Sequence, residues 1–191
     1  HTLPIKQLDN LSFASVSIGG SKENSFTSFL SKYASFTHYQ VQRIEDTVGL
    51  VKKLHRHNVV VAAIYPNASG IENVYPSLLQ EINQHSKIIT VNFDSPAKLK
   101  LVDKSPTIVQ AYTDDIQIQQ AIPQLLFGAK KADGSLPVPI NENIKQGQGI
   151  QTASLGRLSY ATPETEGLDS KTLQAIDKVA NEVIKQKAAP G

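Results

Sequence analysis

The residues best able to do chemistry are one carboxylate and its polar neighbours. Glu72, Asn67 and Tyr65 follow the β-branched run at residues 58–64, and Asp94 follows the next such run. If these runs are parallel strands, their carboxyl ends meet at one sheet edge, where ligands of α/β proteins bind. A carboxyl group there could serve a glycosidase as general acid, although a lone loop glutamate is more often simply solvated. Glu72 is therefore the candidate catalytic residue, and Asn67 and Asp94 are candidate substrate-binding residues, with Tyr65 on the same edge.

Three other motifs are better explained by local structure. Gly19-Gly20 could cradle a phosphate, but neither the dinucleotide-binding spacing nor the Walker pattern is present, so a tight turn is expected. In His55-Arg56-His57 the two imidazoles would point to different faces of a helix, and basic residues suit a helix C-terminus. Ser95 and Lys98 match the Ser-x-x-Lys signature of serine hydrolases, but no Ser-Asp-Asn or Lys-Thr-Gly follows. We therefore expect no metal and no cofactor.

Strand and helix patterns alternate five times between residues 13 and 127. Strands are predicted at 13–18, 36–41, 58–64, 87–93 and 107–112, and helices at 24–33, 45–57, 74–83, 96–102 and 114–127. Such alternation is typical of a doubly wound three-layer α/β sandwich with helices on both faces of a mostly parallel sheet. We predict five to six strands in the order 2-1-3-4-5, with a kink at Pro123 in the last helix.

The pattern changes after Gly128. Residues 129–167 carry no helical stripe and predict a finishing extended strand followed by a linker. A helix begins again at Asp169 or Ser170, either of which could cap it, and its apolar stripe needs a partner. The predicted division is a domain at 1–150, a linker at 151–167 and a further helix at 168–191.

Composition excludes several classes of protein. The chain has 191 residues, a net charge of +2 and no cysteine, which excludes disulfides, thiolate metal sites and a cysteine nucleophile. The charge is too small for a nucleic-acid surface, and no apolar run approaches the length of a membrane span. Because the chain has no methionine and begins with His1, we expect it to be a segment of a longer protein.

Several segments resemble the C-terminal α/β sandwich domain of glycoside hydrolase family 3. Leu3-Pro4-Ile5 is similar to the start of that domain, and residues 105–112 resemble its fifth strand. Leu125-Leu126-Phe127-Gly128 followed by residues 133–139, with their Leu-Pro-Val-Pro, resemble its close, and this pair is the most specific match. The resemblance covers residues 3–150 and implies the doubly wound fold predicted above.

The same resemblance implies where a catalytic group would come from. Family 3 enzymes place their nucleophile in an N-terminal (β/α)8 barrel, and many β-glucosidases supply the acid/base glutamate from the region that Glu72 occupies. Here Glu72 is followed by Asn73-Val74-Tyr75 and not by the usual Gly-x-Asp-Arg. The β-N-acetylglucosaminidase branch uses a barrel histidine instead, and this branch suits the departure better.

A second resemblance begins after the first. Residues 163–169 and the helix that leads to Ala189-Pro190-Gly191 resemble the opening of a β-lactamase-like serine hydrolase domain. The two resemblances together imply a bacterial arrangement in which both hydrolases are fused. The implied partners are the barrel and the serine hydrolase domain of the same chain, with amino-sugar or peptidoglycan fragments as ligands. The implied location is periplasmic or secreted.

Three hypotheses of function follow. The first is a non-catalytic accessory domain of a β-N-acetylglucosaminidase-like glycosidase, which packs on the barrel and forms one wall of the sugar site. The second is a domain that supplies Glu72 as general acid/base to a family 3 β-glycosidase. The third is a small-ligand or sugar-binding α/β module. A receiver domain is disfavoured because Gly19-Gly20-Ser21 stands where an acidic cluster would be needed.

Overall fold

The computed structural model describes residues 2–186. The chain forms two units, His1–Arg157 and Leu158–Gly191. The first unit contains the sheet, and the second contains a short 3₁₀ helix and one long helix. The two units are described separately below.

The first unit is built on a sheet of five strands, all parallel. They are β1 (Phe13–Ile18), β2 (Phe36–Val41), β3 (Val59–Ile64), β4 (Lys87–Asn92) and β5 (Ile108–Gln110). Their order is β2-β1-β3-β4-β5, so the predicted order and fold class are confirmed. Every residue of β1 and β3 is buried, as expected for central strands covered by helices on both faces.

Four helices belong to this unit: α1 (Ser25–Leu30), α2 (Leu50–Leu54), α3 (Tyr75–Asn83) and α4 (Ile116–Leu126). Asn24 caps α1, because its side chain accepts from the Thr27 amide at 2.9 Å while Thr27 Oγ1 accepts from the Asn24 amide at 3.1 Å. α4 continues through Pro123, and the Phe127 amide donates to the Pro123 carbonyl at 3.0 Å. Short 3₁₀ helices occupy Ile44–Thr47, Pro66–Ile71 and Pro96–Leu101.

The long helix predicted at residues 45–57 does not form. A 3₁₀ turn over Ile44–Thr47 is followed by Gly49, whose φ of 71° lies in the left-handed region, and α2 starts only afterwards. Residues with positive φ cannot continue a right-handed helix, so the glycine divides the predicted element into two. The segment predicted at 96–102 is also 3₁₀ and not α.

Two apolar cores lie on opposite faces of the sheet. One packs α2 and α3 against residues of β1 and β3 such as Val16 and Val60. The other packs α1 and α4 and is rich in aromatic rings. In it Phe127 is fully buried, stacks on Tyr33 at 5.0 Å and meets Phe13 edge to face at 6.1 Å. The three-layer arrangement therefore follows from apolar stripes that the helices bury from both sides.

The end of the first unit contains no sixth strand. Between Gly128 and Arg157 the regular pairing consists of one antiparallel bridge from Ala132 to Thr152. The predicted finishing strand is therefore wrong. The segment is held by scattered backbone hydrogen bonds, such as that from the Leu155 amide to the Gly128 carbonyl at 2.7 Å. Arg157 adds side-chain bonds, because its guanidinium donates to the carbonyls of Ile5 at 2.6 Å and Phe127 at 2.7 Å.

The second unit contains a 3₁₀ helix, Pro163–Glu166, and α5, Ser170–Lys185. Asp169 caps α5 by accepting from the Thr172 amide at 2.9 Å, which selects it over Ser170 as the cap. No residue of α5 is buried, and Ile176 and Val179 of its apolar stripe are 61% and 64% exposed. Among residues 2–186 no helix is long enough and apolar enough to cross a membrane.

Candidate functional site

The structure brings the sequence-predicted residues to one edge of the sheet. Tyr65 and Asn67 follow β3 directly, Asp94 follows β4, and Glu72 comes after the 3₁₀ turn Pro66–Ile71. Because all the strands are parallel, these loops lie at the carboxyl ends, as the motif analysis expected. What the residues can do depends on their partners.

Glu72 forms an ion pair with Lys98. Its carboxylate accepts a hydrogen bond from the lysine Nζ, and both side chains are partly exposed at 30% and 31%. The hydrogen bond that Lys98 donates to Glu72 raises the pKa of Lys98, and the nearby negative charges of Glu72 and Asp94 raise it further. A general acid must be free to reach the oxygen of the leaving group, whereas here the Glu72 carboxylate is engaged by the Lys98 ammonium. The contact therefore suits a structural pair better than a proton donor.

The same contact explains the Ser-x-x-Lys match. Ser95 Oγ accepts from the Ala97 amide at 3.3 Å and caps the 3₁₀ turn Pro96–Leu101. The Lys98 ammonium is engaged by Glu72 and not by Ser95. The pattern is thus a turn cap and an ion pair, as the absence of the companion motifs predicted.

Tyr75 is a third member of this cluster that the sequence did not identify. It is 1% exposed at the start of α3. Burial, together with the negative charges of Glu72 and Asp94, raises the pKa of its hydroxyl to about 12. In the sequence Tyr75 lies in the helix predicted at 74–83, and a tyrosine in a helix gives no sign of what its hydroxyl faces.

Buried amides hold the loop that carries Asp94. Asn92 Nδ2 donates to Gln110 Oε1 at 2.7 Å and to the Asp94 carbonyl at 3.1 Å, and Gln110 Nε2 donates to that same carbonyl at 2.8 Å. Asn92 is 1% exposed. The two amides therefore join the ends of β4 and β5 and fix the backbone of Asp94. In the sequence, the feature that could have indicated this link is that both strands end on an amide side chain, Asn92 and Gln110.

Tyr65 and the glycine pair pack tightly at the end of β1. A Cβ on Gly19 would lie 2.4 Å from the Ala68 amide nitrogen, and one on Gly20 would lie 2.4 Å from the Tyr65 ring. The Tyr65 hydroxyl accepts from Asn24 Nδ2 at 3.0 Å, and burial raises the pKa of that hydroxyl well above its usual range. The glycines therefore serve close packing, as the turn interpretation expected, and Tyr65 is a core residue.

Asn67 and Tyr112 are two of the exposed side chains at this edge. Asn67 is exposed in the turn after β3. Tyr112 follows β5 with a φ of 70°, the one non-glycine residue with positive φ among those the structure describes, and is 46% exposed. An aromatic residue rarely adopts this conformation, and such strain is common where a side chain is aimed at a ligand or partner. Nothing in the sequence around Tyr112 predicts this conformation.

Two clefts occur on the first unit away from this edge. One, of about 250 Å³, lies between α3 and the residues that follow Pro96–Leu101, and the other, of about 260 Å³, lies by the N-terminal residues 2–7. Within residues 2–186 no group of three or more His, Cys, Asp or Glu side chains is arranged to hold a metal ion. The candidate site is therefore an open polar edge.

Comparison with known proteins shows the fold. No family model matches the sequence, and no curated protein matches it. A fungal multi-domain GH3 β-N-acetylglucosaminidase, reported to contain a GCN5-related glucosamine N-acetyltransferase region, matches 80% of this chain with a TM-score of 0.60 and 16% identity. A GH3 exo-β-xylosidase in complex with a xylobiose aziridine probe matches 70% with a TM-score of 0.51 and 11% identity.

The matched regions are small parts of those proteins. They amount to 18% of the β-N-acetylglucosaminidase chain and 22% of the β-xylosidase chain. The chain thus shares its α/β fold with a region of multi-domain GH3 glycosidases. A shared fold does not carry an activity with it, so function has to be argued from the site.

Proposed function

We propose that the first unit is a non-catalytic accessory domain of a β-N-acetylglucosaminidase-like glycoside hydrolase. It packs on a catalytic (β/α)8 barrel and forms one wall of the site where an amino sugar is held. The structural similarity covers only a small region of each GH3 glycosidase, which supports the interpretation that this unit is one domain of a larger enzyme. Amino-sugar or peptidoglycan fragments are the ligand class that the β-N-acetylglucosaminidase resemblance implies.

The observation that carries the proposal is the partner of Glu72. This carboxylate is the one that the β-glucosidase alternative would use as acid/base, and it is engaged by the Lys98 ammonium. Donating a proton from Glu72 to a sugar would require that pairing to be given up, because the same carboxylate would have to face the leaving group. The pair instead ties the turn after β3 to the turn after β4 and stiffens the edge.

The edge itself suits contact with another domain. It presents an exposed Asn67 and the strained and exposed Tyr112. The connections that follow β2 and β5 add exposed apolar side chains, namely Val48 before α2 at 82% and Ile116 at the start of α4 at 59%. Large exposed side chains around a polar edge are typical of surfaces that another domain covers. Asn67 and Asp94 are the side chains we assign to the sugar-facing wall.

For the second unit we infer a separate role, as the first helix of a β-lactamase-like serine hydrolase domain beginning near residue 168. The support is α5, whose apolar stripe is exposed along its length and must pack against further chain. Residues 151–167 would then be the linker. The sequence segment that carries this resemblance ends at Pro190 and Gly191, which lie outside the described residues.

The test substitutes Glu72→Gln in the protein that joins this chain to its barrel. We expect turnover of an aryl N-acetylglucosaminide to stay within about twofold, because Glu72 transfers no proton. Glu81→Gln, an exposed glutamate of α3, is the matched control. A loss of turnover of about a hundredfold that an activated leaving group restores would establish Glu72 as the acid/base and overturn the proposal.

A second measurement separates accessory from independent function. The chain alone, given the same substrate, should show no hydrolysis. Hydrolysis at a rate comparable with that of the full enzyme would contradict an accessory role.

A further inference from the structure

Two histidines that are 30 residues apart in the sequence meet on the surface of the first unit. His55 caps the C-terminus of α2, and His85 lies just beyond the end of α3. Their ring centroids are 3.9 Å apart with an angle of 45° between the rings. Both side chains are exposed. Neither belongs to the edge described above, because α2 and α3 end at the opposite side of the sheet from the carboxyl ends of the strands.

The backbone holds the two histidines in place. The His55 amide donates to the Val51 carbonyl at 3.0 Å, and the His85 amide donates to the Ile82 carbonyl at 3.1 Å. Ser86 Oγ donates to the His57 carbonyl at 2.8 Å and is buried, so it joins the turn after α2 to the turn after α3. The relative position of the two histidine backbones is therefore set by the packing of two helices, and little backbone entropy remains to be lost on binding a shared ligand.

We propose that His55 and His85 together bind one divalent transition-metal ion of the Zn²⁺ class. Neutral imidazole is a preferred ligand of Zn²⁺, Cu²⁺ and Ni²⁺, and exposed rings can rotate to direct one nitrogen each towards a common ion. The remaining coordination positions are taken by water, since no third His, Asp or Glu joins the pair among residues 2–186. This is a surface clamp between α2 and α3, independent of the proposed glycosidase role.

Some charges around the His55–His85 pair favour binding of a metal ion and others oppose it. The C-terminus of α3 carries the negative end of the helix dipole near the ion, and Glu81 precedes His85 by four residues. Lys52 and Lys53 lie in the last turn of α2, and Arg56 follows His55 directly. These cations weaken the site, so we expect binding in the micromolar range and not the tight binding of a closed structural zinc site.

The experiment follows the imidazole signals of the chain by NMR during a titration with Zn²⁺, with calorimetry on the same samples. All samples carry His1→Ala, because His1 would add a competing imidazole. The chain has five histidines, so four imidazoles remain to be compared in each sample. We expect the signals of His55 and His85 to shift together at one equivalent of Zn²⁺ while those of His38 and His57 stay.

The matched variants are His55→Gln, His85→Gln and His38→Gln. Losing either ligand removes the advantage of chelation and should weaken Zn²⁺ binding about a hundredfold. It should also abolish the rise in the midpoint of thermal unfolding that Zn²⁺ produces through binding the folded state. His38→Gln should leave both effects intact. The proposal is overturned if the two signals do not move together, or if His85→Gln binds Zn²⁺ as tightly as the His1→Ala parent.

Discussion

Gly19 illustrates how one missing side chain makes the candidate edge possible. Its φ of 74° lies in the left-handed region, and a Cβ there would lie 2.4 Å from the Ala68 backbone nitrogen. A side chain at this position would therefore be strained by its φ and would also clash with the turn after β3. The end of β1 and that turn can approach closely because residue 19 has no Cβ. The glycine pair was recognisable in the sequence as a turn, but the backbone that it approaches was not.

We predict that Gly19→Ala lowers the free energy of unfolding by about 3 kcal/mol, since the left-handed conformation costs about 1 kcal/mol and the backbone clash adds more. Two glycines serve as controls. Gly49 has a φ of 71° with open space around it, so Gly49→Ala should lose about 1 kcal/mol. Gly134 has open space and no positive φ, so Gly134→Ala should be close to neutral. Urea denaturation measures all three, and equal losses at Gly19 and Gly49 would rule out the close approach.

At the scale of elements, His38 links its own strand, β2, to β1 and to the end of α1. Its Nδ1 lies 2.7 Å from Ser15 Oγ of β1, and its Nε2 lies 2.9 Å from Ser31 Oγ at the end of α1. Burial lowers the pKa of His38 below its ordinary 6.5, and the charge of Lys22 lowers it further. Burial likewise lowers the pKa of His57. The folded protein therefore prefers neutral imidazoles at both positions.

The sign of the pH dependence follows from that preference. The unfolded chain takes up the proton near pH 6.5, before the folded chain does, so stability should be full above that pH and fall as the pH drops below it. We predict that the urea midpoint decreases between about pH 7.5 and pH 5.5, a range in which the carboxylates do not titrate. His38→Gln should make this decrease shallower while lowering stability at both ends. A decrease as steep as that of the parent chain would show that His38 does not contribute.

At the scale of the whole molecule, the first unit holds the core and its last residue closes it. Among residues 2–186 the last buried apolar residue is Leu136, and α5 has no buried residue. Arg157 nevertheless donates to the carbonyls of Ile5, Lys6 and Phe127, so it joins the N-terminal segment to the end of α4. A guanidinium can serve several carbonyls at once because its donors form a fixed fork.

We predict that a chain ending at Arg157 unfolds with the same thermal midpoint as the full chain, because none of the buried apolar residues in the part that the structure describes comes after Leu136. A chain ending at Lys145 should unfold at a lower temperature, with a loss of about 2 kcal/mol for the charged hydrogen bonds of Arg157. Arg157→Lys in the longer chain separates the effect of the side chain from that of the truncation, and should recover only part of the loss. Calorimetry provides the midpoints, and a lowered midpoint for the chain ending at Arg157 would mean that the second unit stabilises the first.

The architecture could be predicted from the sequence because each strand and helix shows a pattern within its own segment. Buried parallel strands appear as unbroken β-branched runs, amphipathic helices appear as apolar stripes, and short connections leave few topologies. The strand order and the position of Asn67, Glu72 and Asp94 at one edge both follow from this. The predictions that were wrong concern local geometry without a strong pattern, such as the helix divided at Gly49 and the finishing strand that does not form.

By itself, then, the sequence determined the layers of this protein and the edge on which polar loops gather. Only the tertiary structure decided what each group faces: Glu72 a lysine, Asn92 the amide of Gln110, and His55 the ring of His85. The physical reason is that the periodicity of a segment records which side is buried, whereas a hydrogen bond or ion pair depends on two segments meeting within about 3 Å. That meeting is set by how the helices pack on the sheet, and no single segment of the sequence contains it.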